Sequence, residues 1–364
     1  MKGLSVDYFD PSSLVQKANL QRGLSDQGLE VDSKLVSEAV KRICASYRVM
    51  KAKQATVAAP YQPGGEWADY IAERSELYQD LLGNNIDSSA RVFANFWRNS
   101  LGLIVKEYAP YQMLKDGDPN AVERFTQNVL RNYLIWKDIY GHPDEVLEIP
   151  KTGNAWGILI NDRLVAPKAT RFHAHASAIG ELVSGVEHPT IVEIGGGYGG
   201  VAHYVLRDNP KARYVDLDLP ETLVIAAFYL LTTLPDRKFY LYGEGDVPWD
   251  DQSFSGLLLP NFAMPDAPDN LADLLFNSFS LSEVPRLTLE EYLSQVSRIT
   301  RRFFLHNNMD RKGVFNRGFE RIPASEYPIK SEDFRCLYRA FDLFHGHSGD
   351  YREYLYEKRS INAT

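Results

Sequence analysis

Five glycines fall within six positions, Gly195, Gly196, Gly197, Gly199 and Gly200, inside the stretch IVEIGGGYGGVAHYVL (191–206). Glycine loses more backbone freedom on ordering than any other residue, so such a cluster marks a chain that bends sharply or approaches something closely. Gly195, Gly197 and Gly200 satisfy G-x-G-x-x-G, with an apolar run before them and a helix-like pattern after. Asp218 closes a second apolar run, ARYVDLDL (212–219), at about the 20-residue offset of the acidic residue in a nucleotide-cofactor fingerprint. In that fingerprint the glycines permit close approach, helix amides face an anionic group, and the carboxylate meets ribose hydroxyls. A strand-to-helix turn without a ligand is the competing reading. Five glycines beside a strand carboxylate exceed what a turn requires.

That carboxylate is Glu193, two residues before the first glycine, giving E-x-G-x-G-x-G with Gly195, Gly197 and Gly199. A dinucleotide site keeps this strand apolar, whereas an acidic side chain at its carboxyl end suits a cofactor that carries positive charge. S-adenosylmethionine has an ammonium and a sulfonium, and no pyrophosphate. Asp218 has a second reading as well, because Asp218-Leu-Pro-Glu221 has the form of a capping box with proline in the first turn. Asp216, on the same strand face, is its rival for the ribose.

The elements that must hold these residues alternate from Thr190 onward. TIVEI, ARYVDLDL, KFYLY (238–242), GLLLPNF (256–262), DLLFNSF (273–279) and RFFLHN (302–307) read as strands. Helices are expected over 200–208, 220–234 and 288–299, the last opened by a Thr288/Glu291 capping box. Alternation of this kind implies a parallel sheet with helices on both faces. FRCLYRAFDLF (334–344) could add antiparallel edge strands, and 311–364 has no further reading.

Upstream the texture is helical. Val122, Phe125, Val129, Tyr133, Trp136 and Ile139/Tyr140 recur at helical spacing. VLEIPKTGNAWGILINDRLVAP (146–167) suggests a small hairpin or crossing segment, and a helix follows from Thr170 to about Ser184. Trp97, Trp136 and Trp156 could stack on a ligand ring, although tryptophans at helical spacing more often pack a core. We divide the chain into a mainly helical region, 1–165, and an α/β domain, 166–364.

Composition bounds the partners. The 364 residues are 44% hydrophobic and 24% charged, with a formal charge of −8 and no Lys/Arg block, which argues against nucleic acid or an anionic membrane as the main partner. Apolar runs such as VIAAFYLL (224–231) are far too short to span a bilayer. MKGLSVDYFDPSS (1–13) has no apolar signal-peptide core, and Cys44 and Cys336 form no pair motif. A cytoplasmic protein is expected, with self-association into a homo-oligomer left open.

With these residues in hand, the sequence resembles the sugar O-methyltransferase family, a branch of the class I S-adenosylmethionine-dependent enzymes. The resemblance rests on IVEIGGGYGGVAHYVL, DLPETLVIAAFYL (218–230), DLLFNSFSLSEV (273–284) and the following LEEYLSQV. More loosely it extends upstream to NFWRNSLG (95–102), GNAWGILIND (153–162) and RFHAHASAIGELV (171–183). It implies a Rossmann-like class I methyltransferase sheet preceded by a helical region that covers it and shapes the acceptor pocket. It also implies that Glu193, Gly195, Gly196, Gly197, Tyr198 and Gly199 form the cofactor's methionine pocket. Asp218 and Leu219 would serve the ribose side. The adenine wall follows the third core strand, at YGEGD (242–246) or PNFAM (260–264), with Asn261 and Phe262 preferred.

Methyl transfer to a hydroxyl calls for a general base at the carboxyl end of the fourth core strand. NSFSLSE stands there, so Asn277 and Ser278 could orient cofactor or acceptor and Glu283 could take the proton. His306 is the second candidate base. Arg171 could meet a phosphate or carboxylate of the acceptor, with His175 near it. His345, His347 and Asp350 have loose metal-ligand character, but no metal is expected. The expected activity is O-methylation of a sugar or glycoside hydroxyl. The alternatives are an NAD(P)-dependent oxidoreductase and a catalytically silent cofactor-binding subunit.

Overall fold

The computed structural model describes residues 18–26, 33–73, 75–103, 108–314, 320–345 and 349–359, so the stretch 1–13 and His347 lie outside the described residues. Its central element is an eight-stranded sheet built from β1 (Thr190–Ile194), β2 (Arg213–Asp218), β3 (Phe239–Leu241), β4 (Gly256–Pro260), β5 (Ala272–Ser278), β6 (Thr300–Met309), β7 (Phe334–Phe341) and β8 (Tyr351–Lys358). The spatial order is β7-β8-β6-β5-β1-β2-β4-β3. The six strands from β6 to β3 run parallel, while β8 is antiparallel to both β6 and β7. From β1 the chain moves outward through β2 on one side, then returns to lay β5 and β6 on the other. The carboxyl end of β1 is therefore the switch point where open α/β sheets bind ligands. The glycine cluster sits at that end.

Every residue of β1, β2 up to Leu217, and β4 is buried, as strands covered on both faces require. The covering helices include α1 (Ser33–Gln54), α2 (Pro119–Tyr140), α3 (Ala169–Val183), α4 (Gly200–Asp208), α5 (Pro220–Thr233) and α6 (Arg286–Ile299). α5 carries PETLVIAAFYLLTT and is buried from Pro220 to Thr232. A helix apolar on all sides must be covered on all sides. α1 supplies the outer cover, packing along α5 and joining it through an ion pair of 2.6 Å between Lys51 and the buried Glu221.

Between the helical region and the sheet, strands 158–160 and 163–165 form the expected hairpin. Asn161 and Asp162 make its two-residue turn with φ of 50° and 61°, the left-handed pair that matches strand twist. Trp97, Trp136 and Trp156 are wholly buried, so they pack the core and are closed to a ligand. Trp136 donates its Nε1–H to His173 Nδ1 at 3.0 Å, which ties α2 to α3.

Neither expected capping box forms. α6 begins at Arg286, which leaves Thr288 inside the helix, and Glu291 instead accepts the Tyr61 hydroxyl at 2.6 Å. α5 has Leu219 at its N-cap without a side-chain cap, because Glu221 turns to Lys51 and Asp218 turns to the glycine loop.

Candidate functional site

The loop after β1 is shaped by three left-handed glycines, Gly195, Gly197 and Gly199, with φ of 77°, 65° and 84°. Its amides are held by the neighbouring strand. Gly195 N–H donates to Leu217 O at 2.9 Å, Gly196 N–H to Asp216 Oδ1 at 3.2 Å, and Gly197 N–H to Asp218 Oδ2 at 3.0 Å. Asp218 Oδ1 also accepts the Leu219 N–H at 2.7 Å. Amides that would face a pyrophosphate in a dinucleotide site are thus occupied by two carboxylates, which would repel one. A Cβ on Gly195 would lie 2.6 Å from the Ser280 Cβ, in a backbone conformation alanine adopts only under strain. Gly195→Ala is expected to lower stability by about 2 kcal/mol, read from its urea midpoint, and to narrow the cleft beside Ser280.

Three carboxyl groups meet under this loop. Glu193 lies opposite Asp216 in the β1–β2 register, and Asp218 follows two residues on. Glu193 is 2% exposed and its Oε2 accepts the Tyr214 hydroxyl at 2.7 Å. Burial pushes its pKa up to about 8 against that hydrogen bond, and the Asp218 charge adds to the rise. Burial also pushes Asp218 up to about 7 despite its two backbone donors. Asp216 is raised by burial and by both neighbours, and its Oδ2 has no hydrogen-bond partner among the described residues. This is a desolvated cluster of carboxyl groups that burial holds toward their protonated forms, and a cation placed among them would favour their ionisation.

A cleft of two adjoining lobes flanks the loop, with Trp67, Gly195, Gly197 and Ser280 on the wall of both. The first lobe runs past Asp218, Leu219, Thr222 and Tyr292 and is covered by Gln62 and Gly64 from the helical region. Among the described residues lining it there is no lysine or arginine. The second lobe holds Glu193, Gly196, Tyr198, Ser278 and Glu283 together with Lys168 and Arg171. Phe279 bridges β5 to the 280–283 turn with φ of 72°, a strained backbone for an aromatic residue of the kind that clusters at functional sites.

Ten of the expected residues therefore share one cleft: Arg171, Glu193, Gly195, Gly196, Gly197, Tyr198, Asp218, Leu219, Ser278 and Glu283. Gly199 stands behind the loop, where a Cβ would press on Leu230. Asn261, Phe262, Asn277 and the histidines His175 and His306 fall elsewhere or stand one layer back.

Asn277 is fully buried. Its Nδ2 donates to Ile194 O at 2.8 Å and to Ser280 Oγ, and its Oδ1 accepts Asn308 Nδ2 at 2.7 Å, so it braces the cleft from behind. Asn261 donates to Tyr61 O at 2.9 Å and to the Tyr292 hydroxyl at 2.8 Å, leaving Tyr292 as the ring that reaches the lobe. Phe262 packs edge-on against Tyr242. β4, which precedes both, does lie next to β2, whereas YGEGD follows the outer strand β3.

His175 is not among the described residues that line the cleft. It is 4% exposed, its ring lies 5.1 Å from Phe276, and burial pushes its pKa down to about 4. His306 is fully buried between Tyr354 and Tyr327, with ring centroids 5.0 and 5.4 Å away, and burial pushes its pKa down to about 3. A ring so enclosed stands back from the cleft that Glu283 lines. No cluster of three or more His, Cys, Asp or Glu side chains suited to a metal occurs among the described residues; His345 instead packs on Tyr351 and Phe279.

Several cleft residues had no sequence expectation. Trp67 and Gln62 come from QPGGEW (62–67), where only the paired glycines hint at a special turn. Lys168, Phe279 and Tyr351 line the second lobe, as does His345, which the sequence marked only for loose metal-ligand character.

Parallel order, the reversed β8 and the switch-point glycine loop define the class I methyltransferase fold. No family model matches the sequence, and no curated protein does. Solved structures similar in fold include the N-methyltransferase NodS from Bradyrhizobium japonicum WM9 in complex with S-adenosyl-L-homocysteine, at 12% identity over 53% of this chain and 89% of that one, TM-score 0.37. Magnesium protoporphyrin IX methyltransferase from Synechocystis PCC 6803 with bound SAM is similar at 12% identity over 53% and 81%, TM-score 0.34. The [4+2]-cyclase SpnF is similar at 13% identity over 54% and 83%, TM-score 0.38. Likeness at this level describes the fold and leaves the reaction to be argued from the cleft. Among the described residues no helix is long and apolar enough to cross a membrane.

Proposed function

We propose that the chain is an S-adenosylmethionine-dependent methyltransferase acting on a hydroxyl oxygen of a sugar or glycoside. The observation that carries the cofactor reading is the cluster of buried carboxyl groups, Glu193, Asp216 and Asp218, beneath a glycine loop whose amides are already paired. Glu193 and the glycines would hold the ammonium-bearing end, and Asp218 the ribose hydroxyls. Thr222, a buried hydroxyl without a partner among the described residues, and Tyr292 would face the nucleoside. The same carboxylates disfavour the oxidoreductase reading. The sugar assignment rests on the family resemblance.

When bound, the cofactor supplies a methyl carbon already activated by sulfonium. The chain's own residues then have three tasks. Glu283 accepts the hydroxyl proton as the oxygen attacks, which makes a poor nucleophile competent. Ser278 orients the acceptor, its Oγ buried without a partner among the described residues. Gln62, Gly64 and Trp67 close over the reacting atoms and hold them in line, the role we assign to the helical region 1–165 as cover for the domain 166–364.

Calorimetry with S-adenosylhomocysteine and with NAD⁺ tests the cofactor. We expect the homocysteine form alone to bind, with Asp218→Ala weakening it roughly tenfold to a hundredfold through the lost ribose contacts. NAD⁺ binding in its place would overturn the reading. Turnover of a glycoside panel then separates an enzyme from a silent subunit.

A further inference from the structure

We propose that the acceptor is anionic, and that Lys168 and Arg171 hold its phosphate or carboxylate group in the second lobe. The inference rests on the methyltransferase reading and narrows its substrate class. Both cations belong to the start of α3, Lys168 at its N-cap and Arg171 in its first turn, and both line the lobe. The Arg171 guanidinium lies 4.2 Å from the Phe279 ring centroid and 5.3 Å from that of Phe172, with Nη1 3.4 Å from His345 Nδ1. His345 is itself packed 3.7 Å from the Tyr351 ring centroid. A flat guanidinium held by aromatic faces is a preorganised fork for an oxyanion, and a fork of this kind loses little freedom on binding.

Two further features favour an anion there. α3 is 15 residues long, and its positive dipole end carries these side chains. Ser278 Oγ, on the same wall, is a buried hydroxyl without a partner among the described residues. The lobe is also polarised. Its cations come from α3, whereas its carboxylates come from β1 through Glu193 and from the 280–283 turn through Glu283. An acceptor with an oxyanion would be turned one way by this field: the anion to α3, a hydroxyl toward Glu283, and the carboxylate Glu193 left to the cofactor.

The test uses the full chain, with and without saturating S-adenosylhomocysteine. Line broadening of the ³¹P signal would report binding of inorganic phosphate and of glucose 6-phosphate, and the ¹³C signal of labelled acetate would report the carboxylate arm. Glucose is the neutral control. We expect at least one anion to bind, and Arg171→Ala and Lys168→Ala each to raise its Kd roughly tenfold, with Arg171→Lys intermediate. Phosphate and acetate distinguish the two oxyanions by whichever binds more tightly. Anion binding that neither alanine variant changes, or no anion binding at all, overturns the proposal. Should Arg171→Ala fail to fold, the partly exposed Lys168 keeps the test decisive. Failure of S-adenosylhomocysteine to bind would sink the methyltransferase reading instead, and the anion titration of the chain alone would still be scored.

Discussion

Glu193→Gln should lose the cofactor and yet give a more stable apoprotein at pH 8. The amide keeps the shape and still accepts the Tyr214 hydroxyl, which stands 2.7 Å from Oε2, but it carries no charge. In the folded apoprotein the Glu193 carboxyl is pushed up to about 8, chiefly by burial. Unfolded, it returns to the ordinary carboxylate range near about 4.3. Between those values the native state holds a proton that the unfolded state has released. Stability therefore falls as pH rises through the window, and the loss is absent below it. Glutamine removes this dependence. The variant should exceed wild type by about 4 kcal/mol at pH 8 and match it at pH 4, in urea denaturation. Its affinity for S-adenosylhomocysteine should fall roughly a hundredfold, or about 2.7 kcal/mol. Wild-type binding at pH 7 should release protons, seen as a heat that varies with buffer ionisation enthalpy, and the variant should release fewer. A variant that binds as tightly as wild type would remove the carboxyl cluster from the cofactor argument.

What could be read from the sequence was what neighbouring residues decide. The strands TIVEI and ARYVDLDL and the helices over 200–208 and 220–233 follow from local apolar patterning, and the structure has them. Sheet order is different, since β4 inserts between β2 and β3 through contacts no local pattern encodes. The Asp218–Glu221 pair shows why a correct motif can mislead. Its spacing suits a cap, but Lys51, from a distant helix, takes Glu221, and the amide of Gly197 takes Asp218. The cofactor side was legible because loop, strand carboxylate and Asp218 lie within one β-α-β unit. The acceptor side was only partly so. Trp67, Lys168 and His345 reach the lobe from three separate parts of the chain.

Glu283 and His306 should separate cleanly by experiment, because the fold puts one in the cleft and walls off the other. Glu283 lines the second lobe beside Ser278 and Arg171, where a hydroxyl held for in-line attack would find it. Glu283→Gln keeps its shape and removes its capacity to accept a proton. Once an acceptor is in hand, kcat should drop by about 10²–10⁴, the usual range for losing a general base, with the Kd for S-adenosylhomocysteine unchanged. His306 lies on β6 directly opposite Tyr354 of the neighbouring strand β8, and the 324–326 turn brings Tyr327 onto its ring as well. His306→Ala should then open a cavity and lower stability by about 2–4 kcal/mol. The folded fraction should retain kcat within about threefold, because the hydrogen bonds that link that ring to Ser280 on the cleft wall run through the amides of Asn308 and Asn277, which do not relay a proton at neutral pH. The reverse pattern, with Glu283→Gln active and folded His306→Ala inactive, would require the aromatic layer to open during turnover and would move the base to β6. If both variants stay active, the proton leaves to water, and the positioning supplied by Ser278 and Trp67 carries the rate.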